Sequence, residues 1–158
     1  MGRWAKSMVV VLLLAIVGCG GGGGGDKTPP SISDVQVNPA SLRFSGGKVT
    51  ITAQVSDSSG VARVWAEVEK PSGERVEVTM NLLGGERTKV MMNLAGGIYQ
   101  CEFEPSPNIR NDGQAETYKV WVRARDTKGN ETPAPGFPVE GVSFTVQAPS
   151  KPPEQPTF

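Results

Sequence analysis

Histidine is absent from the 158 residues of this chain, and the sequence offers little else from which active sites are commonly built. The missing imidazole removes the commonest general base and the commonest transition-metal ligand. No Ser/His/Asp set can form without it. The closest carboxylate pairs, Glu67 with Glu69 and Glu102 with Glu104, alternate with apolar residues and should face water on a strand. We therefore expect no enzymatic activity and no resident organic cofactor.

Cysteine and net charge are also in short supply. Of the two cysteines, Cys19 lies near the N-terminus, which leaves Cys101 without a partner for an internal disulfide. Cys101 shares the predicted inward face of its strand with Tyr99 and Phe103, so it is expected to be a small core residue. The chain has 16 basic and 16 acidic side chains, which balance. Without Arg3 and Lys6, 14 basic side chains remain against 16 acidic ones. Nucleic acid is not expected as a partner, because it selects for clustered positive charge.

A long hydrophobic run is missing as well. Met8–Val17 is apolar but short, whereas a membrane-spanning helix needs roughly 20 residues. Arg3 and Lys6 precede this run, and small residues followed by Cys19 come after it. A basic start, a short apolar middle and a small-residue cleavage site are typical of an export signal. A short transmembrane anchor is the alternative interpretation.

The residues LAIVGC, from Leu14 to Cys19, resemble the lipobox of bacterial lipoproteins. The resemblance implies cleavage after Gly18, so that residues 1–18 form a lipoprotein signal peptide. It also implies a diacylglyceryl thioether on Cys19 and anchoring to a membrane outside the cytoplasm. Each buried CH₂ adds about 0.8 kcal/mol, so two or three acyl chains anchor durably. Residue 20 is Gly rather than Asp, which by resemblance to enteric lipoproteins implies the outer membrane where the cell has one.

Glycine and proline dominate the stretches that flank the central region. Gly20–Gly25 is followed by Asp26–Pro30, and we predict that residues 19–30 form a flexible tether with a reach of roughly 20 Å. No strand precedes the glycines and no GK[ST] follows, which argues against a phosphate loop. The proline-rich residues 148–158 are predicted to be a disordered tail.

Residues 31–147 show the alternation of apolar and polar residues that is typical of half-buried strands, with turn residues between the segments. No helical period is present. An all-β fold follows. The predicted strands are Ser31–Val37, Lys48–Asp57, Val61–Glu69, Arg75–Leu82, Thr88–Leu94, Ile98–Glu104, Thr117–Asp126 and Val139–Gln147.

Four segments, TPPSIS, VTITAQVSDSSGVA, GGIYQCEFEP and YKVWVRARDTKGN, together resemble a bacterial immunoglobulin-like domain close to the fibronectin type III shape. The resemblance covers roughly Thr28–Val146. It implies an immunoglobulin-like β-sandwich of seven to eight antiparallel strands. The usual inter-sheet disulfide is absent, and Trp65 has outward parity where a buried tryptophan is usual. The eight segments also give an odd number of reversals between Asp57 and Asp126, so either Arg75–Leu82 or Thr88–Leu94 should not be a full crossing. We expect the irregular segment to be Thr88–Leu94.

Two surface sites are predicted from this arrangement. The third and sixth strands should be neighbours, which would place an aromatic and basic patch on one exposed face: Trp65, Trp121, Arg63, Arg123 and Arg125. Such a patch suits a glycan or a protein partner, since tryptophan and arginine are frequent at binding hot spots. Stacking of these residues on one another across the strands is the alternative.

The second predicted site is a calcium site. Asp57 and Asp126 end strands that should finish at the same end of the domain, and Asn130 offers a further oxygen. Two ordinary Asp-x-x-Gly turns are the alternative.

The function predicted from the sequence is that of a non-enzymatic lipoprotein whose immunoglobulin-like domain binds or spaces another macromolecule. The alternatives are a carbohydrate-binding or calcium-assisted adhesive module, and an accessory subunit of an exported enzyme complex. Because many unrelated roles use sandwich folds, the fold itself does not choose among them.

Overall fold

The computed structural model describes residues 26–84, 96–132 and 141–150. These three ranges are all-β, as predicted, and they contain no helix long and apolar enough to cross a bilayer. The strands are β1 (Ser31–Asn38), β2 (Ser41–Leu42), β3 (Val49–Ser56), β4 (Val61–Glu69), β5 (Arg75–Thr79), β6 (Asn81–Leu82), β7 (Gly96–Phe103), β8 (Glu116–Asp126), β9 (Glu131–Thr132) and β10 (Val142–Val146).

The strands form two sheets that share one hydrophobic core. The first sheet has the order β1-β3-β7-β6, and the second has the order β2-β10-β8-β4-β5, with β9 paired to the end of β8. Buried side chains from both sheets belong to a single cluster. Two layers that bury their apolar faces against each other are a stable solution for an all-β domain.

Period-2 alternation explains which side chains fill this core. On β3, Val49, Ile51, Ala53 and Val55 are all at most 1% exposed, and every polar residue between them is more accessible. On β8 the side chains from Tyr118 to Ala124 alternate in the same way. Aromatic stacking joins β8 to β10, because the rings of Tyr118 and Phe144 lie 4.9 Å apart and nearly parallel. The predicted inward faces of these strands are confirmed.

Alternation along Val61–Glu69 predicts that Ala62, Val64, Ala66 and Val68 face inward, and for Ala62 this prediction is wrong. Val64, Ala66 and Val68 are buried as expected, but Ala62 is exposed. The cause is a register shift between β4 and β8 at Val61–Arg63. A bulge of this kind inserts a residue and reverses the facing of the side chain there.

The strand count and one pairing direction differ from the prediction. Ten strands are present in the described residues, rather than seven or eight, because three of them are only two residues long: β2, β6 and β9. β2 also pairs with β10 in parallel, whereas the other pairings are antiparallel.

The chain changes sheets at both sides of the molecule. Arg75–Leu82, predicted as one strand, is split at Met80: β5 pairs with β4 in the second sheet and β6 pairs with β7 in the first. Met80 is 4% exposed and its N–H donates to Val64 O, which holds the crossover against the core. On the opposite side, Pro39–Ala40 connects β1 of the first sheet to β2 of the second.

The described strands from β3 to β8 reverse four times, an even number, because β5 and β6 run in the same direction and β6 is antiparallel to β7. Of the two segments that the count pointed to, Arg75–Leu82 is the one that the structure shows to be split. Thr88–Leu94, where we expected the irregularity, lies outside the described residues.

We call the two ends of the domain the base and the apex. At the base, where β3 and β8 end, the described chain begins at Asp26. At the apex, where β8 begins, the antiparallel strand β10 ends and the chain continues to Ser150. Residues 26–30, predicted to belong to the flexible tether, are held on the base: Pro30 is buried and Asp26 is hydrogen-bonded to Ser58 and Asn130. These contacts join residues far apart in sequence, so no local pattern reveals them.

Candidate functional site

The predicted aromatic and basic patch lies on the outer face of the second sheet. In the register of β4 and β8, Trp65 is opposite Arg123, Arg63 is opposite Arg125, and Glu67 is opposite Trp121. The five residues predicted to share a face therefore do share one. We call this surface, with the outward side chains of β5 and β9, the outer face.

Arginine side chains and backbone lie over the tryptophan rings of the outer face. Trp65 is only 4% exposed, which corrects the expectation of an exposed ring. The Arg63 guanidinium lies 4.8 Å from the centre of the Trp65 ring, and Arg75 lies 4.8 Å from that of Trp121. A Cβ at Gly141 would come within 2.9 Å of Trp121 Nε1, so the backbone before β10 closes over that ring. The alternation of residues along each strand predicted the correct face for both tryptophans. It could not predict that neighbouring groups cover their rings.

Ion pairs bind the charged residues of the outer face to one another. Arg123 contacts Glu67 at 2.8 Å and Glu131 at 3.7 Å, while Arg125 contacts Glu131 at 2.7 Å. Further pairs join Arg63 with Glu77, Arg75 with Glu69, and Lys119 with Glu69. Exposed ion pairs stabilise weakly one by one. Together they neutralise this face internally, which leaves few charges available to a ligand.

Two buried donors on the outer face lack a hydrogen-bond acceptor among the described residues, Trp65 Nε1 and Arg123 Nε. Arg123 Nε is 2.8 Å from Glu67 Oε1, a charge contact that lies outside hydrogen-bond geometry. A buried N–H without an acceptor is unfavourable by about 1–3 kcal/mol. An ordered water or a ligand oxygen would satisfy Trp65 Nε1, whereas the Glu67 carboxylate already neutralises the Arg123 guanidinium.

The predicted calcium ligands meet at the base, with one addition. Carboxylate oxygens of Asp26, Asp57 and Asp126 all lie within 4.8 Å of one another. Asp57 is 8% exposed and Asp126 is 1% exposed. We call these three residues with Asn130 the base cluster. Asp26 was missed in the sequence because it stands among residues predicted to be tether.

Hydrogen bonds organise the base cluster. Asn130 Nδ2 donates to Asp126 Oδ2 at 2.6 Å and to the Asp26 carbonyl at 2.8 Å. The Ser59 hydroxyl donates to Asp57 at 2.7 Å and bridges to Asp126 at 3.3 Å. Backbone N–H groups of Lys128 and Asn130 also donate to Asp126 Oδ1. Donors of this kind favour the charged form of a carboxyl group.

These donors set the ionisation of two of the carboxyl groups. Burial acts to raise the pKa of Asp126, but the side-chain and backbone donors of Asn130 and the N–H groups of Lys128 and Gly129 outweigh it, and the pKa is lowered. The Thr28 N–H and the Ser58 hydroxyl lower the pKa of Asp26. At neutral pH the base therefore concentrates negative charge. Its oxygens are of the kind that Ca²⁺ prefers, although Ca²⁺ takes six to eight of them.

Cys101 lies in the core on β7. It is 6% exposed, and burial raises the pKa of its thiol to about 11. A reactive cysteine has a lowered pKa and an accessible sulfur, so this thiol is unsuited to nucleophilic chemistry.

The apex carries a surface that sequence reasoning missed. Phe44 is 50% exposed and Ile109 is 84% exposed. Their loops are joined, because Asn108 N–H donates to Phe44 O at 2.8 Å. Neither residue belongs to a predicted strand, so the alternation of apolar and polar residues gives no signal for its exposure.

Comparisons with known proteins add little to this geometry. The chain matches no family model and no curated protein. Among solved structures it is similar to an alkylpurine DNA glycosylase from Pseudomonas fluorescens bound to abasic-site DNA, with 11% identity and a TM-score of 0.41 over 75% of this chain and 30% of that one. It is also similar to a Niemann-Pick type C2 protein from the Japanese carpenter ant, with 13% identity and a TM-score of 0.35 over 79% of this chain and 96% of that one. Both likenesses are too distant to carry an argument about function.

Proposed function

We propose that this protein is an extracytoplasmic lipoprotein, anchored to a membrane through lipid on Cys19, whose immunoglobulin-like head binds or spaces another macromolecule. The sheet orders β1-β3-β7-β6 and β2-β10-β8-β4-β5 support the immunoglobulin-like assignment. The export-signal pattern and the lipobox resemblance support the anchor.

The observation that carries this proposal is the position of the chain at the two ends of the domain. Asp26, directly after the glycine spacer, is fixed to the base by Ser58 and Asn130. The apex loops lie at the other end. A lipid on Cys19 would therefore hold the base toward the membrane and direct the apex away from it. This is the arrangement expected of a tethered head that meets a partner at a distance.

Metabolic labelling with an alkyne fatty acid tests the anchor. The chain expressed in a bacterium with lipoprotein processing is expected to incorporate the label and to lose the mass of residues 1–18. Cys19→Ser should abolish both changes. Cys101→Ser is the matched control and should leave both unchanged, because Cys101 is buried in the core. Unlabelled wild-type protein that keeps its precursor mass would contradict the proposal.

The calcium-assisted form of the same role is a second candidate, favoured by the convergence of Asp26 with Asp57 and Asp126. A cation there would bind the start of the head more firmly to the base. Calorimetric titration of the calcium-free chain with Ca²⁺ tests it: binding should be lost in Asp57→Asn and kept in the apical control Asp112→Asn. The absence of heat and an unchanged melting temperature would remove this candidate.

The carbohydrate-binding candidate would use the outer face. Trp121 is its better probe, because Trp65 is buried and its loss would also affect folding. Binding on a glycan array that disappears in Trp121→Ser, with the melting temperature maintained, would favour this candidate over a protein partner.

A further inference from the structure

The apex contains a groove beside β2, which is an edge strand of the second sheet. The groove has a volume of about 420 Å³ and is lined by the two residues of β2, the two residues after them and three residues that follow β10: Ser41, Leu42, Arg43, Phe44, Gln147, Ala148 and Ser150. Among the described strands, β2 is the last of its sheet and has only β10 as a neighbour. An open sheet edge is a template for another extended segment.

The hydrogen-bond directions show which backbone groups point to this free side. Thr145 N–H donates to Ala40 O and Gln147 N–H donates to Leu42 O, so Ala40 and Leu42 face β10. Because successive residues of a strand point their N–H and C=O groups to opposite sides, Ser41 and Arg43 face away from β10. The Arg43 carbonyl is already used by Gly46 N–H in the following turn.

The side chains beside this edge define what could bind there. Phe44 and Ile109 offer exposed apolar surface on two joined loops. No ion pair to Arg43 is formed anywhere in the described part of the chain, although Arg110, on the neighbouring loop, is paired with Asp112. An apolar surface with an unneutralised guanidinium is complementary to an apolar side chain next to a carboxylate.

The apical loop is held in a fixed shape before any partner arrives. Asn108 is 1% exposed; its Nδ2 donates to Gln114 O and Val146 O, and its Oδ1 accepts from Arg110 N–H. The Asp112 carboxylate receives Gln114 N–H as well as the Arg110 guanidinium. A loop ordered in this way loses less entropy on binding, which favours affinity.

We propose that the apical groove binds an extended peptide segment of a partner protein, which adds a strand to the free edge of β2, places an apolar side chain against Phe44 and Ile109, and pairs a carboxylate with Arg43. This inference rests on the proposed binding role and names its surface and partner class. Main-chain hydrogen bonds would supply affinity and the alternate side chains would supply selectivity.

A phage-displayed library of short random peptides, selected on the purified full chain, tests the inference. We expect enrichment of peptides in which Asp or Glu adjoins an apolar residue. Their binding should weaken by about tenfold or more in Arg43→Glu and in Phe44→Ser. The controls are Lys128→Glu at the base and Leu83→Ser, an exposed apolar residue off the apex; both should bind as the wild type does. Bound peptide should also slow hydrogen exchange at the Ser41 N–H.

Three results would overturn the inference. The first is a library that yields no enriched motif, or one whose binding ignores both apical substitutions. The second is enrichment only after residues 151–158 are deleted, which would make that segment of the chain the occupant. The third is a concentration-dependent dimer abolished by Arg43→Glu, which would make a second copy the occupant. Since lipidation of Cys19 is measured separately, none of these results would bear on the anchor.

Discussion

Asn108 organises the apex, and its replacement gives the sharpest test of the energetic reasoning. In Asn108→Ala three hydrogen bonds are lost, and the carbonyls of Gln114 and Val146 lose a buried donor. At about 1 kcal/mol for each bond, with a further contribution from carbonyls left without a partner, the free energy of unfolding should fall by about 2–4 kcal/mol. That is a large fraction of the roughly 5–15 kcal/mol expected for a domain.

Equilibrium unfolding in urea measures this effect. With a urea dependence of about 1–3 kcal/mol per molar, the midpoint should fall by roughly 1–2 M. Asn111→Ala is the matched control, because Asn111 is an exposed residue of the same type in the same loop. It should change the free energy by less than about 0.5 kcal/mol. Equal, small effects of the two substitutions would refute the argument, since water would then be satisfying the carbonyls that Asn108 serves.

Three other predictions follow from the base, the core and the outer face. Because the pKa of Asp126 is lowered in the folded state, its contribution to stability is present above its unfolded value of about 3.8 and is lost as the pH falls through the folded value. Asp126→Asn should therefore flatten the acid side of the stability profile in urea unfolding, and an unchanged profile would contradict the role of the donors. In the Cys19→Ser variant, Cys101, with its pKa raised to about 11, should react with iodoacetamide at about pH 8 only in unfolding concentrations of urea; rapid reaction of that variant in its native state would disprove the burial of Cys101. Trp65→Ser should destabilise the domain by about 3–5 kcal/mol because the ring is 4% exposed. Arg43→Ser, on an exposed side chain, should have almost no effect on stability, and similar values for these two variants would argue against the packing of Trp65.

Alternation was sufficient to predict the strands whose two faces meet different surroundings. β3 and β8 each bury one face in the core and turn the other outward, so their sequences show a period of two. The same pattern could not show that Arg75–Leu82 changes sheets, because the side chains on both sides of Met80 continue to alternate. The crossover is defined by pairing with β4 and then with β7, and pairing partners are not encoded locally.

For the candidate sites too, strand alternation predicted part of the arrangement and missed the part that depends on chain path and side-chain conformation. The outer-face residues were found because a strand's face can be read from parity and adjacent strands share a face. The covering of Trp65 by Arg63 and the arrival of Asp26 beside Asp126 depend on side-chain conformations and on chain path, which parity does not describe. Phe44 and Ile109 belong to loops, where exposure is set by the frame around Asn108 rather than by periodicity.

The positions at which the chain meets the base and leaves the apex have a mechanical consequence. If lipid holds one end and a partner holds the other, tension acts along the length of the strands. Hydrogen bonds between neighbouring strands are then loaded sideways and all at once, instead of opening one after another as in a zipper. The crossovers at Pro39–Ala40 and at Met80 add covalent chain at the two flanks. This layout is suited to a head that must stay folded while it is pulled.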